Sequence, residues 1–369
     1  MKKLILTLCL ALSLTACGEK ASDTPKEGEK PVIKIGATLP LSGDMSNVGE
    51  GVKNALQMLL EKWQTKETKY NYEIFIENDM LKPHQAVVNT QKFVNIDKAN
   101  IIVSVFGVVD RPVDEIANQN KVISLSCSYG KDSVPEYGIN TGTQNEEIYA
   151  AALKQLQKRN VKKVALIGSP IAVSEAILGY FAKNLPQDNI QVVANERYPL
   201  AETDFRLSIQ KIEELHHPDY YLVFGFASMN GVFPKQYHEI TGKKNIASLG
   251  TFCGIDPKYF PKLDGVWSLY LLGASDEFEK QYVDRFQHRV ESCSASLYDG
   301  LDMIITSFEN TPVREGEILP DNADVLKGVK NFKTWNGAFG ETTIQENGIV
   351  RSPAQVRVYK DGQWVKVED

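Results

Sequence analysis

The sequence predicts an α/β protein with two lobes, each formed around a doubly wound parallel sheet. Short apolar segments alternate with segments of helical spacing from residue 32 to residue 249, as in repeated β-α-β units. The segments 32–39 (VIKIGATL) and 101–106 (IIVSVF) are dominated by apolar residues, which is typical of strands buried on both faces of a sheet. The alternation occurs in 32–125 and again in 163–249, so we expect two similar halves.

The individual elements follow from the same patterns. The predicted strands are 32–39, 72–77, 101–106, 121–125, 163–168, 190–197 and 219–224. The predicted helices are 48–63, 84–94, 112–119, 146–158, 174–184 and 204–215. Pro112 is expected in the first turn of its helix, where its missing N–H has no intrahelical partner to lose. Ligands of such sheets bind beyond the carboxyl ends of the strands, so the loops that follow the strands are the candidate site.

The first residues have the pattern of a secretory signal. Lys2 and Lys3 precede an apolar segment, 4–14, that is shorter than the roughly 20 residues of a membrane-spanning helix. Small residues then lead to Cys17, an arrangement similar to the lipobox of bacterial lipoproteins. That resemblance implies removal of the signal peptide, 1–16, and acylation of Cys17; the alternative is an ordinary signal with an incidental cysteine. Residues 17–30 are highly charged, so we expect a flexible tether there.

Composition argues against several classes of protein. Without residues 1–16 the chain has 353 residues (369 − 16), more than the roughly 250–300 that a single core accommodates. The net charge is −6, and no basic stripe occurs, which argues against a nucleic-acid partner. No CxxC or HExxH motif is present, so we expect no metal and no cofactor. Since GxSxG and P-loop motifs are also missing, we expect no enzyme activity.

The cysteines outside the signal and the lipobox are Cys127, Cys253 and Cys293. An exported protein folds in an oxidising compartment, where one disulfide can form. Cys253–Cys293 is one candidate pair, but spacing alone does not establish it, and buried free thiols are the alternative.

Several short motifs follow one another along the chain. They are Ile33-Lys34-Ile35-Gly36, Pro40-Leu41-Ser42-Gly43, Glu77-Asn78-Asp79, Phe106-Gly107, Thr203-Asp204-Phe205, Pro218-Asp219, Tyr298-Asp299 and Asp361-Gly362. In this order they resemble the motifs of the type I periplasmic solute-binding proteins, in the branched-chain amino-acid (Leu/Ile/Val) binding family of ABC transporters. The resemblance implies two lobes joined by three crossovers, near 140–143, 268–273 and 338–343. Lobe 1 would comprise 31–142 and 272–338, and lobe 2 would comprise 143–271 and 339–369, with a solute held between them by hinge closure.

Comparison with this family also implies a set of cleft residues. They are Ser42, Val48, Arg111, Ser126, Ser128, Tyr129, Val173, Phe226 and Phe252. Arg111 could hold a carboxylate, or it could pair at the surface with Asp110 or Asp114. For Val48 the alternative is packing in the core, and for the hydroxyls of 126–130 (SCSYG) it is a capped turn.

The position where amino-acid binders of this family carry an acid is occupied by Thr251-Phe252-Cys253. Burying an ammonium group without a carboxylate partner is very unfavourable. We therefore expect an amino-acid-like carboxylic acid or amide as the ligand, in preference to an amino acid itself.

The resemblance implies an extracytoplasmic substrate-binding protein of an ABC importer. Its expected partners are a small-molecule ligand, an ABC permease in the inner membrane, and the lipid bilayer through acylated Cys17. We expect a monomer on the periplasmic side, and the sequence leaves open which membrane holds the anchor. The alternative is a ligand-sensing or envelope-assembly interaction protein on the same fold, without transport.

Overall fold

The computed structural model describes residues 28–43, 45–130, 133–225, 228–250, 264–271, 273–361 and 363–367. The predictions for the signal peptide, Cys17, Cys253, Phe226 and Phe252 lie outside these residues. Within them the predicted fold class is confirmed, because parallel strands alternate with helices and form two large sheets.

The strands fall into two large sheets and one small sheet. They are β1 (Val32–Leu39), β2 (Asn71–Asn78), β3 (Ile101–Val105), β4 (Ile123–Cys127), β5 (Gly138–Asn140), β6 (Lys163–Gly168), β7 (Gln191–Arg197), β8 (Tyr220–Phe224), β9 (Ile246–Ser248), β10 (Trp267–Tyr270), β11 (Thr334–Asn336), β12 (Glu341–Ile344), β13 (Val350–Arg351), β14 (Gln355–Lys360) and β15 (Gln363–Lys366). The first sheet is parallel, with the order β2-β1-β3-β4-β5. The second has the order β15-β14-β10-β9-β8-β6-β7, and the small sheet has the order β11-β12-β13.

Helices connect the strands and cover the sheets. They are α1 (Ser46–Gln64), α2 (Pro83–Lys92), α3 (Gly107–Gln119), α4 (Asn145–Lys158), α5 (Ala172–Asn184), α6 (Arg206–His216), α7 (Ser228–Thr241), α8 (Asp276–Phe286), α9 (Ser294–Asn310) and α10 (Asn322–Asn331). A π-helical turn follows α2 at Phe93–Asp97, and a 3₁₀ turn follows α5 at Leu185–Asp188. Among the described residues, none of these helices combines the length and the apolar character needed to cross a bilayer.

Each large sheet has its own hydrophobic core. In the first core, Val103 and Leu125 from the sheet pack with Leu301 of α9, and all three side chains are fully buried. In the second core, Leu222 packs with Trp267, which is also fully buried. Strands β3 and β4 are buried at every position, as expected for central parallel strands covered on both faces.

The chain crosses from the first lobe to the second lobe for the last time at a later point than the sequence predicts. The sequence predicts that lobe 2 resumes at residue 339. In the structure, Ile344 and Val350 belong to the first core, and the second sheet resumes with β14 at Gln355. The reason is that β12 pairs with β11 and β13 in the small sheet. The passage therefore lies between β13 and β14.

Helix α3 and strand β4 also extend beyond their predicted limits. Main-chain hydrogen bonds of 2.9 Å from Val109 and Asp110 to the carbonyl of Phe106 start α3 at Gly107. Pro112 consequently lies inside the helix and not in its first turn. Strand β4 continues to Cys127, so Ser126 is a buried strand residue and not part of the following loop.

A disulfide joins Cys127, at the end of β4, to Cys293, the residue before α9, with 5.9 Å between their Cα atoms. The candidate pair Cys253–Cys293 is therefore wrong, because the sulfur of Cys293 is bonded to Cys127. The bond ties β4, an interior strand of the first sheet, to the residue just before α9, which lies 166 residues later in the chain.

Candidate functional site

The carboxyl ends of β1, β3 and β4 lie along one edge of the first parallel sheet. Helices α1 and α3 begin just after β1 and β3, and the disulfide brings the residues before α9 to the same edge. Ligands of doubly wound sheets bind at this edge. We call it the first-lobe edge, and we take it as one wall of the candidate site.

The first-lobe edge carries a buried carboxylate. Asp110 lies in the first turn of α3 and is fully buried. Its Oδ2 accepts a hydrogen bond from the hydroxyl of Ser128, the residue that follows β4, and Ser128 is also buried. The positive end of the helix dipole stabilises negative charge in the first turn. The first turn of α3 therefore places a carboxylate next to the hydroxyl of Ser128, a predicted ligand-binding residue.

Asn140, at the end of β5, holds the backbone of the same loop. Its Oδ1 accepts hydrogen bonds from the N–H of Ser128 at 2.8 Å and from the hydroxyl of Ser126 at 3.3 Å. Its Nδ2 donates to the carbonyl of Ser128 at 3.0 Å. Gly142 lies so close that a Cβ atom there would be 2.1 Å from the Ser128 carbonyl oxygen. Asn140 therefore holds both the main-chain N–H and the main-chain carbonyl of Ser128 in place.

Tyr129 connects the first-lobe edge to the second lobe. Its hydroxyl is hydrogen-bonded to the hydroxyl of Ser292, next to the disulfide. Its half-buried ring packs against the second core. A residue of the loop that follows β4 thus contacts the second core beside Ser128.

The other predicted site residues lie in different surroundings. Ser42 is exposed and accepts a hydrogen bond from Asn78 Nδ2 at 2.8 Å, whereas Val48 is buried in the first core. Arg111 is exposed on α3, next to the buried Asp110. Val173 is half-buried at the start of α5 and packs against the second core. The structure therefore brings Ser126, Ser128 and Tyr129 together, while Val173 comes from the other lobe.

Sequence reasoning missed three residues of this edge. Asp110 was considered only as a surface partner of Arg111, although its place three residues into α3 is the signal for a first-turn carboxylate. No sequence pattern identifies Asn140 or Ser292 as a site residue, because their contacts join residues that are 12 and 163 positions apart in the chain.

A second buried carboxylate holds the chain near a passage between the lobes. Asp299 of α9 accepts hydrogen bonds from the N–H groups of Ala338 at 2.6 Å and Phe339 at 2.7 Å. Burial raises the pKa of Asp299 to about 7, against the lowering effect of the two N–H donors. Ser275, in the connection between β10 and α8, donates its N–H to the Ala338 carbonyl at 2.7 Å. Asp299 therefore fixes a segment that is itself bonded to an interlobe connection.

Within the described part of the chain, no three His, Cys, Asp or Glu side chains are grouped so that they could hold a metal ion. The chemistry available at the first-lobe edge is hydrogen bonding by hydroxyls and by a carboxylate, together with apolar contact through Tyr129.

Comparisons with known proteins agree on one family. A sequence profile described as "Periplasmic binding protein" matches residues 32–363. The Leu/Ile/Val-binding protein BraC3 of Rhizobium johnstonii is 22% identical over 221 residues, which cover 58% of this chain and 60% of that protein. The match thus spans less than two thirds of the relative's length.

Solved structures show the same fold. The leucine-binding protein LivK of Thermotoga maritima has a TM-score of 0.75 and 16% identity, covering 91% of this chain and 98% of LivK. A solute-binding protein of an ABC transporter from R. palustris, in complex with 4-hydroxybenzoate, has a TM-score of 0.76 and 20% identity, covering 92% and 96% of the two chains. These relatives are binding proteins, which supports a binding protein over an enzyme at the level of the family. The chain belongs to the periplasmic binding protein family, among the type I proteins that include the branched-chain amino-acid binders.

Proposed function

We propose that this protein captures a small solute between its two lobes and delivers it to an ABC importer. The observation that carries the proposal is the placement of Ser128 and Tyr129 at the carboxyl edge of the first sheet, with Tyr129 packed against the second core. A solute bound there would contact both lobes, and closure by hinge motion would enclose it. The family and the fold support this function, since the relatives named above are solute-binding proteins.

The proposed ligand is an amino-acid-like carboxylic acid or amide. The residues Thr251-Phe252-Cys253 contain no acid at the position where the amino-acid binders carry one. An amino acid would then bury its ammonium group without that counter-charge. The R. palustris relative was solved with 4-hydroxybenzoate, a ligand without an ammonium group, and this supports the same class for a protein of the same fold.

A thermal-shift screen of small acids, amides and amino acids tests the proposal. A solute present at 100 times its dissociation constant stabilises the folded state by about 2.7 kcal/mol, which raises Tm by a few degrees. We expect at least one acid or amide to give this shift and leucine to give none. Micromolar binding of leucine by isothermal titration would contradict the ligand class. A screen in which no solute raises Tm would contradict the binding function and favour the sensing or assembly role.

The proposed location is the periplasmic side of a membrane, with Cys17 as the lipid anchor. Intact mass and cell fractionation test the anchor in the full chain. We expect the protein in the membrane fraction with acyl chains on its first residue, and we expect Cys17→Ser to abolish acylation and membrane association. Cys253→Ser is the matched control and should remain bound to the membrane. If Cys17→Ser also remains there, the lipid anchor is refuted.

A further inference from the structure

We propose that two ion pairs between the lobes hold them in the orientation seen in this structure, and so determine how readily the lobes move relative to each other. The pairs are Arg351 with Glu147 and Arg357 with Glu279. This inference goes beyond the proposed function, because it concerns the orientation of the lobes before any solute binds.

The first pair joins the end of the first lobe to the start of the second. Arg351 is the last residue of β13, and the residue before it, Val350, is buried in the first core. Glu147 lies in the first turn of α4, next to Ile148 of the second core. Nη1 of Arg351 lies 2.6 Å from Oε1 of Glu147 and 3.4 Å from Oε2 of Glu146. One guanidinium group therefore contacts two carboxylates of the other lobe.

The second pair joins the second sheet to α8. Arg357 lies in β14, and its guanidinium carbon is 3.5 Å from the centre of the Tyr270 ring in β10. Nη2 of Arg357 lies 3.4 Å from Oε2 of Glu279 in α8. Helix α8 packs on the first lobe, because its buried residue Phe278 lies in one cluster with Ala55 of α1. This ion pair therefore also crosses from one lobe to the other.

Both pairs are largely shielded from water. The exposed fractions of the side chains are 28% for Arg351 and 16% for Glu147, and 15% for Arg357 and 29% for Glu279. The Nε atom of each arginine is buried and has no hydrogen-bond partner among the described residues. Charges in such surroundings are screened less than charges at the surface, and a buried charge that loses its partner is strongly disfavoured. Separating either pair therefore costs more free energy than separating an exposed pair.

The two arginines lie on either side of the last connection between the lobes, since β13 ends at Arg351 and β14 begins at Gln355. A rotation of one lobe about such connections changes the distances between the guanidinium groups and the carboxylates. The pairs therefore favour the orientation in which they form, and a solute that favours another orientation must supply the free energy of separating them. Neither pair includes a predicted cleft residue, so both would adjust the affinity for a solute without contacting it.

Distances between the lobes, measured without any solute, test this inference. In residues 18–369 with Cys253→Ser, the remaining cysteines, Cys127 and Cys293, form the disulfide, so thiols introduced for labelling are the reactive ones. Glu115 of α3 and Glu214 of α6 are exposed and belong to different lobes. Fluorophores attached through Glu115→Cys and Glu214→Cys report the distance between the lobes by single-molecule energy transfer.

Removing either side of the pairs should release the lobes. The arginine variant is Arg351→Gln/Arg357→Gln, and the glutamate variant is Glu146→Gln/Glu147→Gln/Glu279→Gln. In each we expect the ratio of molecules at the main wild-type distance to molecules at other distances to fall about fivefold or more. A variant that combines all these substitutions should lie no further from the wild type than either one, because no charge is then left without its partner. Circular dichroism checks the folding, and the glutamate variant, whose side chains keep their shape, carries the test if the arginine variant does not fold.

Glu175→Gln/Arg197→Gln is the matched control. Nε of Arg197 in β7 lies 3.0 Å from Oε1 of Glu175 in α5, so this ion pair lies within the second lobe. Its removal should leave the ratio of distances within about twofold of the wild-type value, because the pair does not cross between the lobes.

The outcomes separate this inference from the proposed function. Ratios within about twofold of the wild type in the arginine and glutamate variants overturn the inference. So do effects that simply add in the combined variant, and so does a control with as large an effect as the test variants. Because no solute is present, these outcomes leave solute capture standing. Conversely, a thermal-shift screen in which no solute raises Tm contradicts the proposed function and leaves the inference intact.

Discussion

Removing the disulfide between Cys127 and Cys293 should strongly destabilise the protein. The bond closes a loop of 166 residues, for which the chain-entropy relation gives about 5 kcal/mol at 25 °C. Native disulfides typically contribute about 2–5 kcal/mol, so we expect the double variant Cys127→Ala/Cys293→Ala to lose about 3–5 kcal/mol of unfolding free energy. Alanine is the appropriate replacement, because both cysteines are almost completely buried. Urea unfolding of residues 28–369, followed by fluorescence, measures the difference.

A thiol titration in denaturant gives an independent check of the same bond. The chain from residue 28 contains Cys127, Cys253 and Cys293, so an intact disulfide leaves one reactive thiol and Cys253→Ser leaves none. Three reactive thiols in the wild type, or equal unfolding free energies for the wild type and the double variant, would refute the reasoning.

Three further predictions concern buried polar groups and a close backbone approach. Burial raises the pKa of Asp299 to about 7, so ionisation of this carboxyl disfavours the folded state. The protonated side chain therefore contributes stability that is fully present below pH 4 and is lost as the pH rises through 7. Urea unfolding of the wild type and of Asp299→Asn at several pH values measures this effect. We expect the wild-type unfolding free energy, relative to that of Asp299→Asn, to fall by about 3 kcal/mol from pH 4.5 to pH 8. A difference that stays constant with pH would contradict this. Gly142→Ala should cost about 3 kcal/mol or more, because its Cβ would lie 2.1 Å from the Ser128 carbonyl oxygen, and a Tm equal to that of the wild type would show that the backbone has room. A double-mutant cycle of Tyr129→Phe and Ser292→Ala should give a coupling of about 0.5–1.5 kcal/mol by urea unfolding, and additive effects would argue against their hydrogen bond.

The central strands could be predicted from the sequence because their signal is local. The bounds of β1 and β6 match the prediction residue for residue, since their apolar runs end where turn-forming residues begin. The predicted helix at 112–119 begins too late, because its start was placed at Pro112, whereas α3 begins at Gly107. Pro112 favours a helix start, but the Phe106 carbonyl, six residues upstream of the predicted beginning, already accepts two N–H groups. The limits of an element depend on such hydrogen bonds, which the residue pattern does not contain.

The site could be predicted only in part. Ser128 and Tyr129 are predicted site residues because they follow a predicted strand, and loops at that edge carry ligands. What those hydroxyls do depends on Asp110, Asn140 and Ser292, and each of these contacts is made by folding across many residues of intervening chain. The same limit applies to the disulfide, since Cys293 reaches Cys127 only when α9 packs on the first sheet.

Helix α9 and the residue before it contact two separate regions of the chain. The disulfide anchors the residue just before it to the end of β4, and Asp299, less than two turns along, grips the segment at Ala338 that is bonded to the connection between β10 and α8. One helix thus contacts both the end of β4 and a connection between the lobes. In the proposed function, a solute held beside Ser128 would therefore lie next to a helix that is bonded to that connection.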